Sequence, residues 1–203
     1  MAAMASSPHP ATLITVAPTG AETAKDDFPA LPTTLEELVD TATRCEAAGA
    51  AMIHLHIRDR EHRPTLDGGL LSEAVAAMRE STSLVVQLST GGSVHDPLAD
   101  RLKVLDAEPD SCSLTMGTTN FGDDVFMNPW PFVCELYQSS QERQVVPEFE
   151  LFDLGHVAAL HRLLDQHGLP FGGRVHCDLV MGVPGGMPGT ADALVAAVQA
   201  LPS

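Results

Sequence analysis

The chain has 203 residues, 44% of them hydrophobic, which is enough for one large buried core. Its 27 acidic and 11 basic side chains give a formal net charge of −16, which argues against nucleic acid or an anionic membrane surface as partner. A local Arg cluster or a helix N-terminus can still receive an anionic cofactor.

Residues 1–11, MAAMASSPHPA, lack a basic start and a continuous apolar stretch, so they read as a flexible leader rather than a signal peptide. From residue 12 the chain alternates in kind. TLITVAPTG (12–20) is strand-like. TLEELVDTATRCEAAG (34–49) has helical spacing, with Thr33 or Thr34 as N-cap and Gly49 as the stop. AMIHLHIRD (51–59) is strand-like and precedes a helix near 71–81. LVVQLSTGG (84–92) precedes a helix near 97–106, and SCSLTMGTTNF (111–121) precedes one near 130–142. VVPEFELFD (145–153) leads into a helix ending at Gly168, and RVHCDLVMG (174–182) leads into TADALVAAVQAL (190–201). No apolar run approaches the roughly 20 residues of a membrane span. Cys45, Cys112, Cys134 and Cys177 are scattered, with no C-x-x-C pair, which suits reduced thiols and a cytoplasmic protein.

Six strand–helix units with no hairpin between them predict a parallel sheet flanked by helices. An open doubly wound sheet and a (β/α)8 TIM barrel both fit. Polar residues close every strand: Glu22, then His54 and His56, Ser89 and Thr90, Thr115 to Asn120, Glu148 and Glu150, and His176 and Asp178. An open sheet gathers its site at one switch point, whereas a barrel gathers all its strand ends around one axis, so the barrel is favoured. Only about six of the eight units are present. The expected organisation is a leader at 1–11 and an incomplete barrel domain at 12–203.

His54 and His56, two apart on a strand, project to one face when Ile53, Leu55 and Ile57 pack outward, and such a pair can chelate one metal ion. Glu148 and Glu150 repeat the spacing; two facing carboxylates repel, which raises one pKa and makes a general base. The null for each pair is a histidine bonded to a neighbouring carboxylate, or a glutamate at a frayed strand end. Ser89, Thr90 and Gly92 of STGG offer hydroxyls and a permissive backbone to an anion, although a simple tight turn fits equally. GVPGGMPG (182–189) is no dinucleotide fingerprint, and neither a Walker A sequence nor a G-x-S-x-G nucleophile elbow is present. The remaining histidines lie in loops or on helices, most of them solvated.

TVAPTGAETAK with Glu22, AGAAMIHLHIRD, QLSTGG, GTTNFGDDVFMN, PEFELFD and DLVMGV occur in this order. Together they resemble the β-keto acid cleavage enzyme family, over residue 12 to the last. The resemblance implies a zinc-dependent barrel that condenses a β-keto acid with acetyl-CoA, giving acetoacetate and a new acyl-CoA. It implies that His54 and His56 ligate Zn2+ and that Ser89 and Ser113 hold the keto acid. Glu22 and Glu148 line the same pocket, and either Glu148 or Glu150 lies near the reacting centre. Zinc acts as a Lewis acid on the substrate, a carboxylate removes the proton between the two carbonyls, and no nucleophilic side chain is needed. The family's third zinc ligand is a glutamate on the eighth strand, beside an aspartate and near an arginine. None of these lies before Ser203, so an incomplete enzyme is expected, along with homo-oligomers (tetramers in the family). The alternatives are a non-catalytic, self-associating barrel fragment and, ranked lower, an amidohydrolase-type hydrolase with its H-x-H on a different strand.

Overall fold

The computed structural model describes residues 12–202; the leader at 1–11 lies outside them. The elements are β1 (Thr15–Val16), α1 (Leu35–Ala47), β2 (Met52–Leu55), α2 (Gly68–Ser81), β3 (Val85–Leu88), α3 (Leu98–Lys103) and a 3-10 turn (Val104–Ala107). They continue as β4 (Ser111–Thr115), β5 (Thr119–Phe121), β6 (Asp124–Phe126), α4 (Trp130–Arg143), β7 (Val146–Leu151), α5 (Leu154–His167), β8 (His176–Leu179) and α6 (Ala191–Ala200).

Six strands form one parallel sheet in the order β1-β2-β3-β4-β7-β8. Apart from the inserted hairpin, each strand therefore lies beside its predecessor, with a helical crossover between, and the sheet curls as six units of a (β/α) barrel. Its edges are β1 and β8, so among the described residues the barrel is not closed.

One expectation fails. Between β4 and α4 the chain makes an antiparallel hairpin, β5-β6, pairing Thr119 with Phe126 and Phe121 with Asp124. The two-residue turn is Gly122-Asp123, and Gly122 sits at φ +64°, where glycine is unstrained.

Local chemistry sets the helix starts. Thr34 and Glu37 form a reciprocal capping box at α1: Thr34 Oγ1 accepts from the Glu37 N–H at 3.2 Å, and Glu37 Oε2 accepts from the Thr34 N–H at 3.1 Å. Asp67, Asp153 and Thr190 cap α2, α5 and α6 through their side-chain oxygens.

The core lies outside the sheet, not inside it. Ile53, Leu55, Ile57, Val86 and Leu88 pack under Leu38, Leu71, Val75 and Met78 of the helices. Cys112, Leu114, Met116, Phe149 and Leu151 pack under Leu136, Tyr137, Val157 and Leu160. The pleat then sends the alternate residues of every strand to the inner face, and these are polar: His54, Gln87, Ser111, Ser113, Thr115, Glu148, Glu150, His176 and Asp178. A barrel interior is ordinarily filled with branched aliphatic side chains. Here it is a lined polar cavity.

Candidate active site

β2 delivers the two imidazoles. His54 is inside the ladder, paired with Gln87 of β3, while His56 lies just past the strand end. Their Nε2 atoms are 3.3 Å apart and their ring centroids 5.1 Å apart. His54 Nδ1 donates to Gln87 Oε1 at 2.5 Å, and the Gln87 amide in turn donates to Ser111 Oγ at 3.0 Å and toward Glu148. This fixes the tautomer: the His54 proton is on Nδ1, so the Nε2 lone pair faces His56. Burial, with His54 and Arg58 beside it, pushes His56 down to about 3, so it is neutral.

This arrangement fits a metal. Two nitrogens bound at about 2.05 Å to a tetrahedral zinc ion lie about 3.3 Å apart, which matches the observed spacing. Among the described residues, no group of three or more His, Cys, Asp or Glu side chains comes together to hold an ion. The imidazole pair could supply two ligands of a set.

The carboxylates come from β7 and β8. Register pairs Glu148 with His176 and Glu150 with Asp178, and places Ser113 and Thr115 opposite the two glutamates. Glu148 is buried, with Oε2 3.2 Å from His176 Nε2. Desolvation, reinforced by Asp178 and Glu150, raises its carboxyl to about 7. Burial also raises Glu150, which accepts from the Thr115 hydroxyl, while His54 and Arg101 oppose the rise. Burial raises Asp178 as well and lowers His176.

Two adjoining cavities meet on Glu150 and Asp178. One, about 500 Å³, is the barrel interior, lined by His54, Glu148 and His176. The other, about 230 Å³, opens over the strand ends between His56, Ser89, Gly92, Glu22 and an apolar wall. Glu22 is exposed at this mouth, where its charge acts on Arg58. Ser89 Oγ accepts from the Gly91 N–H at 3.2 Å. Gly92 needs its φ of +60°, and a Cβ there would lie 2.3 Å from Asp96 Oδ2.

Two expected contact residues are tied to each other. Ser113 is 0% and Thr90 1% exposed, because they are bonded to each other: the Ser113 hydroxyl accepts from the Thr90 N–H at 3.2 Å, and the Thr90 hydroxyl donates to the Ser113 carbonyl at 2.5 Å. They hold the STGG turn from behind.

Other parts of the site went unread in the sequence. Gln87, which orients His54, is a polar residue in phase with Ser89 on an otherwise apolar strand, and that phase was a usable signal. Arg101 is 2% exposed and ties the site together: Nε donates to Thr90 O, Nη1 to Met127 O and Nη2 to Asn128 Oδ1, at 2.7, 2.7 and 2.5 Å. Its guanidinium also lies over the Phe126 and Phe132 rings. On a short helix it looks like any surface arginine. His156, expected among the solvated histidines, is buried; Nδ1 accepts from the Phe152 N–H at 3.2 Å, and the ring packs under Gly117, where any Cβ would strike it.

A parallel barrel-type sheet with imidazoles and carboxylates converging at its strand ends is the layout of a barrel enzyme. The matching family model, described as beta-keto acid cleavage enzyme, spans residues 11–203, and the chain belongs to this family. It is 35% identical over 192 residues to the 3-keto-5-aminohexanoate cleavage enzyme of Fusobacterium nucleatum, covering 94% of this chain and 69% of that protein. It is 34% identical to the enzyme of the same name from Acetoanaerobium sticklandii, covering 94% and 70%. The 3-oxoadipate:acetyl-CoA acetyltransferase of Cupriavidus necator is 30% identical, with 93% and 66% covered. Among solved structures, apo ObcA superposes with a TM-score of 0.67 at 24% identity, which supports the fold; the chain spans 76% of itself and 37% of that chain. The relatives carry cleavage and acyl-transfer names, so the hydrolase alternative falls away. No helix among the described residues is long and apolar enough to cross a membrane.

Proposed function

We propose that the chain carries the zinc- and substrate-binding site of an enzyme that condenses a β-keto acid with acetyl-CoA and cleaves the product to acetoacetate and a new acyl-CoA. The observation that carries this reading is the His54–His56 pair, with Nε2 atoms 3.3 Å apart and the His54 proton held on Nδ1 by Gln87. Zinc held there by both imidazoles supplies Lewis acidity toward the oxygens of the keto acid.

The chain's own groups do the rest. Glu148, at about 7, is poised to accept the proton from the carbon between the two carbonyls near neutrality. Glu150 lies one step nearer the mouth and borders both cavities, where it orients the keto acid. The Ser89 hydroxyl and the glycine backbone of STGG receive its carboxylate, with Thr90 and Ser113 keeping that turn in place. Glu22 closes the mouth on the acetyl-CoA side. The uptake of acetyl-CoA follows the name of the relative from Cupriavidus necator.

The test is zinc content after dialysis against a weak chelator, paired with acetyl-CoA consumption over a panel of β-keto acids. The expected result is near one zinc per chain, lost with activity in His54→Ala and His56→Ala. Undiminished zinc in either variant refutes the assignment.

A second reading has its own support. The unpaired edges β1 and β8, with Leu194, Val195 and Val198 of α6 between 44% and 55% exposed, suit a self-associating module. Light scattering separates the two readings: a discrete, zinc-loaded small oligomer supports the enzyme, and open-ended growth with concentration supports the module.

A further inference from the structure

The cavity over the strand ends has two chemically different ends. His56, Ser89, Gly92 and Glu150 make one. The other is built from Phe121, Phe126, Phe152, Val94, Val180 and Val183, and nothing in the proposed chemistry uses it. The three phenyl rings meet edge to face, with centroids 6.1, 6.2 and 6.4 Å apart. The wall comes from four segments: the β5-β6 hairpin, the end of β7, the loop after β8 that brings Val180 and Val183, and the loop after β3 that brings Val94.

This wall is held rigid. The Gly122 N–H donates to Pro184 O at 3.0 Å, joining the hairpin turn to the loop after β8. Gly185, at φ +104°, lets that loop lie against the hairpin, where a Cβ would stand 2.3 Å from Asn120 O. Arg101 braces the hairpin from behind, over Phe126 and onto Met127 O. A preformed apolar surface beside a polar head-group site is suited to binding a substrate tail with little ordering cost.

Charge narrows the tail further. No Lys or Arg lines this cavity, whereas Glu22, Glu150 and Asp178 do. Arg101 is committed to three oxygens and covered, so an anionic tail finds no partner and meets like charge. The three rings pack edge to face against one another and make a continuous apolar surface. Glu150 and Asp178 also border the interior cavity beside His54, where the two cavities meet.

Resting on the function proposed above, we infer that the β-keto acid this site takes carries an uncharged, apolar tail, seated on the Phe121–Phe126–Phe152 wall. The wall sets specificity, and the imidazole and STGG end binds the keto acid head common to all candidates.

Calorimetric titration of the zinc-loaded protein tests this with four probes: acetoacetate, 3-oxohexanoate, 5-amino-3-oxohexanoate and 3-oxoadipate. At about fourfold per buried methylene, 3-oxohexanoate should bind about fifteenfold tighter than acetoacetate, and the amino and carboxylate analogues no tighter than acetoacetate. Acetoacetate binding with no gain from the propyl tail, or with the charged tails preferred, overturns the inference and leaves the function standing. Failure of all four, head alone included, overturns the function and the inference with it. Val183→Lys gives a second arm: the affinity ratio of 3-oxoadipate to 3-oxohexanoate should rise on the order of a hundredfold, and an unchanged ratio argues against the wall as the tail site.

Discussion

Glu148→Gln isolates the electrostatic strain in the barrel interior. Burial and the neighbouring Asp178 and Glu150 raise Glu148 from an ordinary 4.5 to about 7. An unfolded chain ionises this group near its ordinary value, while the folded chain keeps the proton until about pH 7. Between those points the folded state binds more protons, so stability falls as pH rises, and above about pH 7 the whole penalty is present. At 1.36 kcal/mol per pH unit, that penalty is about 3 kcal/mol at pH 8. Glutamine keeps the shape and can still bond Gln87 and His176, but carries no charge. Glu148→Gln should therefore be more stable than the parent by up to about 3 kcal/mol at pH 8, with the gain shrinking toward zero by pH 4.5, and should lose activity. Urea unfolding at both pH values measures this, with a chelator present so that no cation offsets the repulsion. Equal stabilities at pH 8, or a gain that does not change with pH, would refute the electrostatic account.

Arg101→Met should lose about 3–5 kcal/mol in urea unfolding, because the Thr90 carbonyl and the Asn128 amide oxygen are left buried without their donor and the part-buried Met127 carbonyl loses its own; Arg101→Lys should recover little of this, since one ammonium cannot span three acceptors. Gln87→Leu should weaken zinc binding ten- to a hundredfold in competition with a fluorescent chelator, through loss of the His54 orientation. Gly92→Ala, at positive φ and against Asp96, should cost on the order of 1–3 kcal/mol and displace Asp96 from the Ser93 N–H it now accepts from; a melting temperature equal to the parent's would count against the strain at this turn.

The sequence made the repeating units legible because two periods alternate cleanly in it. The helix predicted at 130–142 is Trp130–Arg143, and the one ending at Gly168 runs Leu154–His167 with Gly168 at its C-cap. Ile53, Leu55 and Ile57 facing outward put both imidazoles inward, so their convergence was readable from i, i+2 spacing alone. The β5-β6 hairpin was not read, because three-residue strands are too short to show a period; Gly-Asp between Phe121 and Asp124 was the one available cue. The mutual bonding of Ser113 and Thr90 was unread for another reason. A hydroxyl on an inward strand position is as well used in bonding its neighbour as in bonding a ligand, and only the three-dimensional partner decides. Arg101 was invisible because its significance is entirely non-local, depending on oxygens 11, 26 and 27 residues away.

The order β1-β2-β3-β4-β7-β8 has a consequence for how the chain folds. Each strand of the main sheet ladders with the one laid down just before it, so the ladders close modest loops and no strand waits for a distant partner. Assembly can then spread outward from the middle, where every residue of β4 is buried, toward β1, only two residues long, and β8, which has no fully buried residue. Amide exchange should follow that gradient, slowest on β4 and its neighbours and fastest at the two edges. Glu148 sits on β7, within the slow region, while the β1 side of the cavity opens most readily.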